Sequence, residues 1–488
     1  MIADESRLVL PRRPDGLRPL LAFAREKAGQ AGFSGRALKE AELAVEEMAA
    51  DALEHAPGSG PEGPYEVVFE RTPGQLVIAV EDRCAPFDMG AARKRREAGL
   101  ALLLVRAFAD EVRFLNLGQG GKRVEVVKNV PAEDVGRTMA ETGGNAPPPQ
   151  SPAAVEIRPG QARDCVPIAQ LCYRATGRGD GREFVYFPER LREQIAAGST
   201  VSRVAVDPSG RIVGACLAVL GGPDARVAVA GPCFEDPRSG LGGLPEKLLA
   251  SLFEGLRERG VCGLLSEFPE SAAKDAFAAF DAAETALLLG HWPPCPPAKG
   301  QRRRSSQRRS VLLGYLGLSE GPRREVFPPF HHAGIVERIY RRTNLNRLIH
   351  KAEARRSPAE VPPGSRVDVE VKPSLGQARL AVRAFGQDIL DHLFLWLEDF
   401  DRHGVEVAHL DLPLSDPGTG AFAAPVETLG FSFAGVIPEL YGDDVLRLQR
   451  LAGRPLAPPS IQAATEFGTE LARYVWSEYR SSSGALSE

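Results

Sequence analysis

The stretch Leu43–Ala56, LAVEEMAADALEHA, decides the reading of the N-terminal part of the chain. Val45, Met48, Ala49, Ala52, Leu53 and Ala56 recur at i, i+3, i+4, i+7, i+8 and i+11, the spacing of one buried stripe on a helix. The pattern predicts a helix over 34–56. Glu47 and Asp51, four residues apart, project together from the face away from that stripe. Downstream, Tyr65–Arg71 and Gln75–Val80 read as strands about a Thr72-Pro73-Gly74 turn, and Glu111–Leu117 with Arg123–Lys128 as a hairpin around a Gly-rich tip. Helices on one face of a mostly antiparallel sheet follow.

The chain has 488 residues, enough for about three domains with cores of their own. Its 60 Lys plus Arg against 64 Asp plus Glu leave a net charge of -4, so no long-range field draws the molecule to nucleic acid, and none is expected as a partner. Seven cysteines, Cys84, Cys165, Cys172, Cys216, Cys233, Cys262 and Cys295, form no CxxC pair and imply reduced thiols. The N-terminus has no apolar core behind its basic residues, and the run Leu100–Val105 stops at Arg106. A cytoplasmic protein without a membrane span is expected. Pro- and Gly-rich stretches divide the chain into units at 1–130, 154–318 and 366–451, with a linker at 131–153, a helical connector at 319–365 and a terminal amphipathic helix and tail at 452–488.

In the first unit the stretch LAVEEMAADALEHA is followed by VEDRCAPFD, AGLALLLVRAFADEVRF and GGKRVEVVK in an order that resembles the GHKL ATPases, specifically the anti-sigma serine kinases. The resemblance implies a GHKL α/β sandwich that binds ATP with magnesium. It makes Glu47 the catalytic base, puts Asp51 in the place of the magnesium ligand asparagine, and makes Asp82 the adenine reader. Cys84 stands where the family has a glycine. In the phosphate lid Gly99 is kept, while Ala101 replaces the other glycine. These departures imply weak ATP binding without kinase turnover, a regulatory pseudo-ATPase. The family also implies a sigma factor or its antagonist as partner.

The middle unit opens with VEIRPGQARDCVPIAQLCYRATG, a strand, a Pro-Gly turn and a helix, and continues as β, α, β, β, β, α, β, α, β, β. This order, with IRPGQARD and the turn DPRSGLGGLPEKLL, resembles the GNAT acetyltransferases. The resemblance implies acetyl-CoA as cofactor, its pyrophosphate held by Arg238, Gly240, Gly242 and Gly243 at a helix N-terminus. Transfer to an amine needs a base and a proton donor. Glu235 at a strand end is the first candidate base, Glu267 at the next strand end the second, and Tyr173 or Tyr186 the donor. The run Arg302, Arg303, Arg304, Arg308, Arg309 reads as a solvated loop.

The last unit resembles a second, degenerate GNAT-like half. Its AVRAFGQDIL has one glycine and an acidic residue before the main helix, expected over Asp388–His403, so no CoA is expected there. His331, His332, His392, His403 and His409 lack ligand spacing and read as packing or surface residues. The expected fold class is a multidomain α/β protein, a GHKL sandwich followed by a GNAT fold and a GNAT-like unit. The expected function is an acyl-CoA-dependent N-acetyltransferase acting on an amine or protein, with a nucleotide-sensing domain. The alternatives are a non-enzymatic regulator of the anti-sigma kind and a scaffold without either activity.

Overall fold

The computed structural model describes residues 4–31, 33–54, 64–72, 75–82, 109–117, 121–129, 155–176, 183–221, 226–236, 239, 243–268, 282–294, 307–350, 361–452, 456–458, 463 and 465–485. Cys84, Gly99, Ala101, Arg238, Gly240, Gly242, Arg302, Arg303 and Arg304, and the side chain of Asp51, lie outside the described residues.

The N-terminal unit comprises β1 (Asp4–Leu10), α1 (Leu17–Gln30), α2 (Gly35–Glu54), β2 (Tyr65–Thr72), β3 (Gln75–Asp82), β4 (Glu111–Asn116) and β5 (Lys122–Asn129). All its strands pair antiparallel, in the order β1-β2-β3-β5-β4. Val45, Met48, Ala49 and Ala52 of α2 are buried with Phe69, Ile78 and Val126 of the sheet, as the helical stripe requires.

The second unit runs β6 (Glu156–Pro159), α3 (Cys165–Thr176), α4 (Pro188–Ala196), β7 (Thr200–Val206), β8 (Ile212–Leu220), β9 (Val227–Glu235), α5 (Leu244–Arg257), β10 (Gly263–Phe268), β11 (Ala283–Trp292) and β12 (Arg309–Gly317). Strands β6 to β9 form an antiparallel meander, β9 pairs parallel with β10, and β12 and β11 follow antiparallel. A parallel step needs a crossover, and α5 supplies it, its leucines buried against Val213 and Ala218 of β8.

Between this unit and the next lie β13 (Arg324–Val326), α6 (Ala333–Thr343) and β14 (Arg347–Ile349). Among its described residues the connector is therefore α-helical only over α6. Asn344 turns left-handed at φ 52° and ends α6, after which β14 pairs parallel with β13. The reason is Arg347, whose guanidinium is buried against Asp444 at 2.5 Å and Glu439 at 2.9 Å and pulls the chain out of the helix.

The third unit holds β15 (Arg366–Lys372), β16 (Gln377–Ala384), α7 (Ile389–Arg402), β17 (Val407–Pro413), α8 (Pro417–Glu427), β18 (Ser432–Ile437), β19 (Val445–Leu451) and, closing the described chain, α9 (Glu466–Ala485). Its order is β15-β16-β17-β19-β18, with β16 parallel to β17. That repeats the second half of the preceding unit.

The three sets of strands join edge to edge into one 17-stranded sheet. Strand β4 pairs with β15 through Phe114↔Val369, Arg113↔Glu370 and Val112↔Val371, and Trp396 of α7 covers Phe114 at 5.2 Å between ring centroids. The N-terminal unit is thus docked on the third unit by a shared ladder. At the other junction β18 meets β11 only at Gly435↔Ala286. Gly435 has φ +146°, and a Cβ there would stand 2.3 Å from the Thr285 carbonyl oxygen, so only glycine lets the two backbones meet. The Gln449 side chain completes the ladder, accepting from Leu289 N at 2.8 Å and donating to Leu287 O at 3.2 Å. Arg308 belongs to this junction and not to a solvated loop. It donates to the carbonyls of Gly290, His291 and Leu375 and pairs with Glu406. A residue that satisfies carbonyls from two units cannot be read from a run of arginines.

Candidate functional site

The second unit has a fork in its sheet. Strands β9 and β10 pair only from Val227↔Gly263 to Val229↔Leu265, and beyond this point each continues without the other. One cause is local: opposite the single residue Leu217 of β8, strand β9 carries two, Gly231 and Pro232, since Cys216 pairs Cys233 and Ala218 pairs Ala230. A bulge bends its strand and increases twist, and proline leaves no N–H for a ladder. A Cβ on Gly231 would lie 2.9 Å from that of Leu217, so the bulge needs glycine. On the far side of the fork, β10 stays bound to β12 through Phe268↔Leu312.

Glu235 ends β9 on the fork's first arm. Its Oε2 is buried and, among the described residues, has no hydrogen-bond partner. Burial, with the nearby carboxylate of Glu246 on α5, pushes its carboxyl above the usual range. Just beyond, the buried Asp236 carboxylate pairs with Arg174 of α3 at 3.4 Å and fixes the strand end. Gly243, left-handed at φ 75°, is the N-cap of α5 and so stands at a helix N-terminus. Glu267 is on the other arm and in other company: it accepts from Trp292 Nε1 at 3.3 Å and stands 3.9 Å from His291 Nε2. Tyr173 is half-buried on α3 and Tyr186 half-buried before α4. The structure thus brings Glu235 and Gly243 to one end of the sheet and holds Glu267 toward the junction with the third unit.

In the N-terminal unit Asp82 ends β3, buried, with Lys122 Nζ at 3.6 Å and Arg12 Nη2 at 3.8 Å. Neither cation was singled out from the sequence, although the register pairs Lys122 directly with Asp82 across β3 and β5. Glu47 is half-buried on α2. Where β4 meets β15 there is a polar cleft of about 330 Å³ lined by Arg113, Glu111, Asp368, Glu370, Arg379 and Arg383. Its charges are matched internally, Arg383 to Asp368 at 2.7 Å and Arg113 to Glu111 at 2.5 Å.

A family profile described as the histidine kinase-like ATPase domain matches residues 10–128. Over these residues the first unit is therefore similar to a histidine kinase-like ATPase domain. Across 145 residues the chain is 24% identical to the serine-protein kinase RsbW of Oceanobacillus iheyensis, covering 27% of this chain and 90% of that protein. Among solved structures, the chain is similar to the ribosomal-protein-S18-alanine N-acetyltransferase of Escherichia coli, with 16% identity, a TM-score of 0.27, and coverage of 35% of this chain and 97% of that one. The PaiA N-acetyltransferase of Thermoplasma acidophilum, solved with coenzyme A, aligns at 11% identity and a TM-score of 0.25, covering 34% and 99%. No helix of the described residues is long and apolar enough to cross a membrane.

Proposed function

We propose that the second unit is an acyl-CoA-dependent N-acetyltransferase and that the GHKL-like domain regulates it. The observation that carries this reading is the fork between β9 and β10 with the partnerless, buried Glu235 Oε2 at its mouth. A carboxyl held above its usual range and unengaged by the fold is a base in wait of a substrate proton. The fork suits acetyl-CoA, which would supply the activated acetyl group. Gly243 at the start of α5, with Arg238, Gly240 and Gly242 before it, would hold the pyrophosphate on backbone N–H groups. Glu235 accepts the proton of the attacking amine, and Tyr173 is the donor for the departing thiolate. Glu267, tied to Trp292, is the second candidate base. The acceptor is an amine, free or on a protein.

For the first unit the reading is weak ATP–magnesium binding at Glu47, Asp51, Asp82 and Gly99. Arg12 and Lys122 beside Asp82 compete with an adenine amine for its carboxylate, which favours sensing over turnover. The test is titration of the full chain with acetyl-CoA, followed by thiol release with a panel of amines, with and without ATP. Heat with acetyl-CoA and a rate that ATP changes are expected. Neither heat nor a melting shift with acetyl-CoA overturns the enzyme reading. The likeness to RsbW favours a second reading, a regulator that binds a sigma factor or its antagonist through residues 10–128. Co-elution of the full chain with such a protein, without acetyl transfer, would favour it.

A further inference from the structure

His331 and His332 stand next to each other just before α6, and Glu427 is the last residue of α8. Folding aims both imidazoles at that carboxylate: His331 Nε2 is 2.9 Å from Oε2 and 3.1 Å from Oε1, and His332 Nε2 is 3.0 Å from Oε1. All three donor groups lie within 4.8 Å of one another. We infer that His331, His332 and Glu427 form a binding site for a divalent transition metal of the zinc class, which ties α6 to α8 beneath α9.

The chemistry of the donor set is the first argument. Two imidazoles and one carboxylate with an open fourth position are a zinc ligand set. Metal–ligand bonds of about 2.0–2.2 Å place tetrahedral ligand atoms about 3.3–3.6 Å apart, so an ion needs each imidazole to part from the carboxylate by only a few tenths of an ångström. The surroundings are the second. His332 is fully buried, and its other nitrogen, Nδ1, lies 2.7 Å from the Tyr474 hydroxyl on α9. A ligating histidine gives its remaining ring N–H to such an acceptor, which fixes the tautomer that leaves Nε2 free for the ion. Tyr474 Oη in turn reaches the His331 carbonyl at 3.5 Å, and Phe433 of β18 packs on the His332 ring at 4.6 Å between centroids. The His331 side chain is 42% exposed, which leaves a path for an ion and a water from solvent. Arg338 of α6 pairs with Glu470 of α9, and α6 and α9 both lie on β11 and β18. A bound ion would tie α8 to this pair of helices over the sparse β11–β18 contact.

The full chain, freed of metal by a chelator and titrated with zinc chloride, is expected to take up zinc at this site with a rise in melting temperature. Cobalt(II) in its place is expected to give visible ligand-field bands of a four-coordinate site. His331→Ala, at a half-exposed position, should keep the fold and lose both signals, and Tyr474→Phe should weaken zinc about 10–100-fold. Cobalt bands absent from the parent chain, or zinc uptake unchanged in His331→Ala, would show that the cluster holds only protons and overturn the site. The cobalt spectrum of the parent needs no variant, so it decides even if His331→Ala misfolds.

Discussion

The second and third units share one strand order but differ at the fork. In the second, the parallel pairing of β9 with β10 stops at Val229↔Leu265 and the arms part. In the third, β16 and β17 stay paired from Gln377↔Val407 to Ala381↔Asp411. There the buried Asp411 carboxylate is clasped by Arg447 at 2.6 and 2.7 Å and accepts from Tyr441 Oη at 3.2 Å. The start of the crossover helix differs in the same sense. Gly243 opens α5 in a left-handed turn, whereas Gly386 before α7 lies against the backbone of Gly364 and Ser365, and the Asp388 carboxylate accepts from Ser365 N and Oγ, both at 2.7 Å. An anion site needs unengaged N–H groups and no resident carboxylate. Among the described residues, one topology therefore gives a fork that parts beside a carboxyl oxygen without a partner, and a fork that stays paired beside a carboxylate clasped by an arginine.

The largest effect that would break this comparison is at Glu235. Glu235→Gln keeps the shape and removes the base, so acetyl transfer should fall about 10²–10⁴-fold with acetyl-CoA affinity little changed. The pH profile supplies the sign. A raised carboxyl pKa puts the rising limb of the rate above the ordinary carboxylic range, because the ionised form is the one that takes the proton. The same shift makes folding less favourable as pH rises through it, so Glu235→Gln should be slightly more stable than the parent at neutral pH. An unchanged rate would move the role to Glu267. The third unit predicts the opposite: Asp411→Asn should leave transfer unaffected.

Next in size is Arg447→Leu in the closed fork. It leaves Asp411 buried beside one tyrosine hydroxyl, and removing one partner of a buried pair costs about 3–5 kcal/mol. Urea denaturation of the full chain measures it. A loss below 1 kcal/mol, roughly the worth of an exposed pair, would mean that the fork opens to water and is not closed. Gly386→Ala follows, since its Cβ would stand 2.3 Å from the Gly364 carbonyl carbon and the Ser365 nitrogen. The expected cost is about 1–3 kcal/mol. Gly334→Ala on α6, where nothing lies within 4 Å of the new carbon, should instead be neutral or stabilising by about 0.5–1 kcal/mol.

Much of the fork was legible before the fold. The helix stripe of α2, the meander and Glu235 at a strand end are local patterns, and local patterns survive in one dimension. What was not legible is what joins distant segments. LSDPG carries the residues that break helices, yet Asp416 caps α8 by accepting from Gly418 N at 2.8 Å while Pro417 takes the first helical position, so a breaker signal is also a helix start. Losing α8 from the reading hid Glu427, and with it the convergence of His331 and His332, which spacing along the chain cannot reveal. Arg308, Gln449 and Gly435 make sense only across the β11–β18 contact. The ladder between β4 and β15 is likewise invisible to a reading that takes each unit alone.

The smallest effect concerns the seam that both forks share. His291 of β11 and His409 of β17 face each other at 5.5 Å between ring centroids, and both are shielded from water. Burial, followed by the positive field of Arg447 with Lys372 and Arg308, pushes His291 down to about 3 and holds it neutral. His409 is lowered for the same first reason, with Arg447, His291, Arg379 and Arg308 adding to it. The unfolded chain titrates its histidines near 6.5, so between about 6.5 and 3 it binds protons that the folded seam refuses. Stability contributed by the neutral pair is complete above that window and is lost as pH falls through it. His291→Phe keeps an aromatic ring against Trp292, removes the buried Nδ1 that has no hydrogen-bond partner, and abolishes one of the two proton uptakes. Its acid-unfolding midpoint should therefore move to lower pH while stability at neutral pH stays equal or rises. A midpoint identical to the parent's would mean that the seam opens before the histidines titrate, and that the two units separate first in acid.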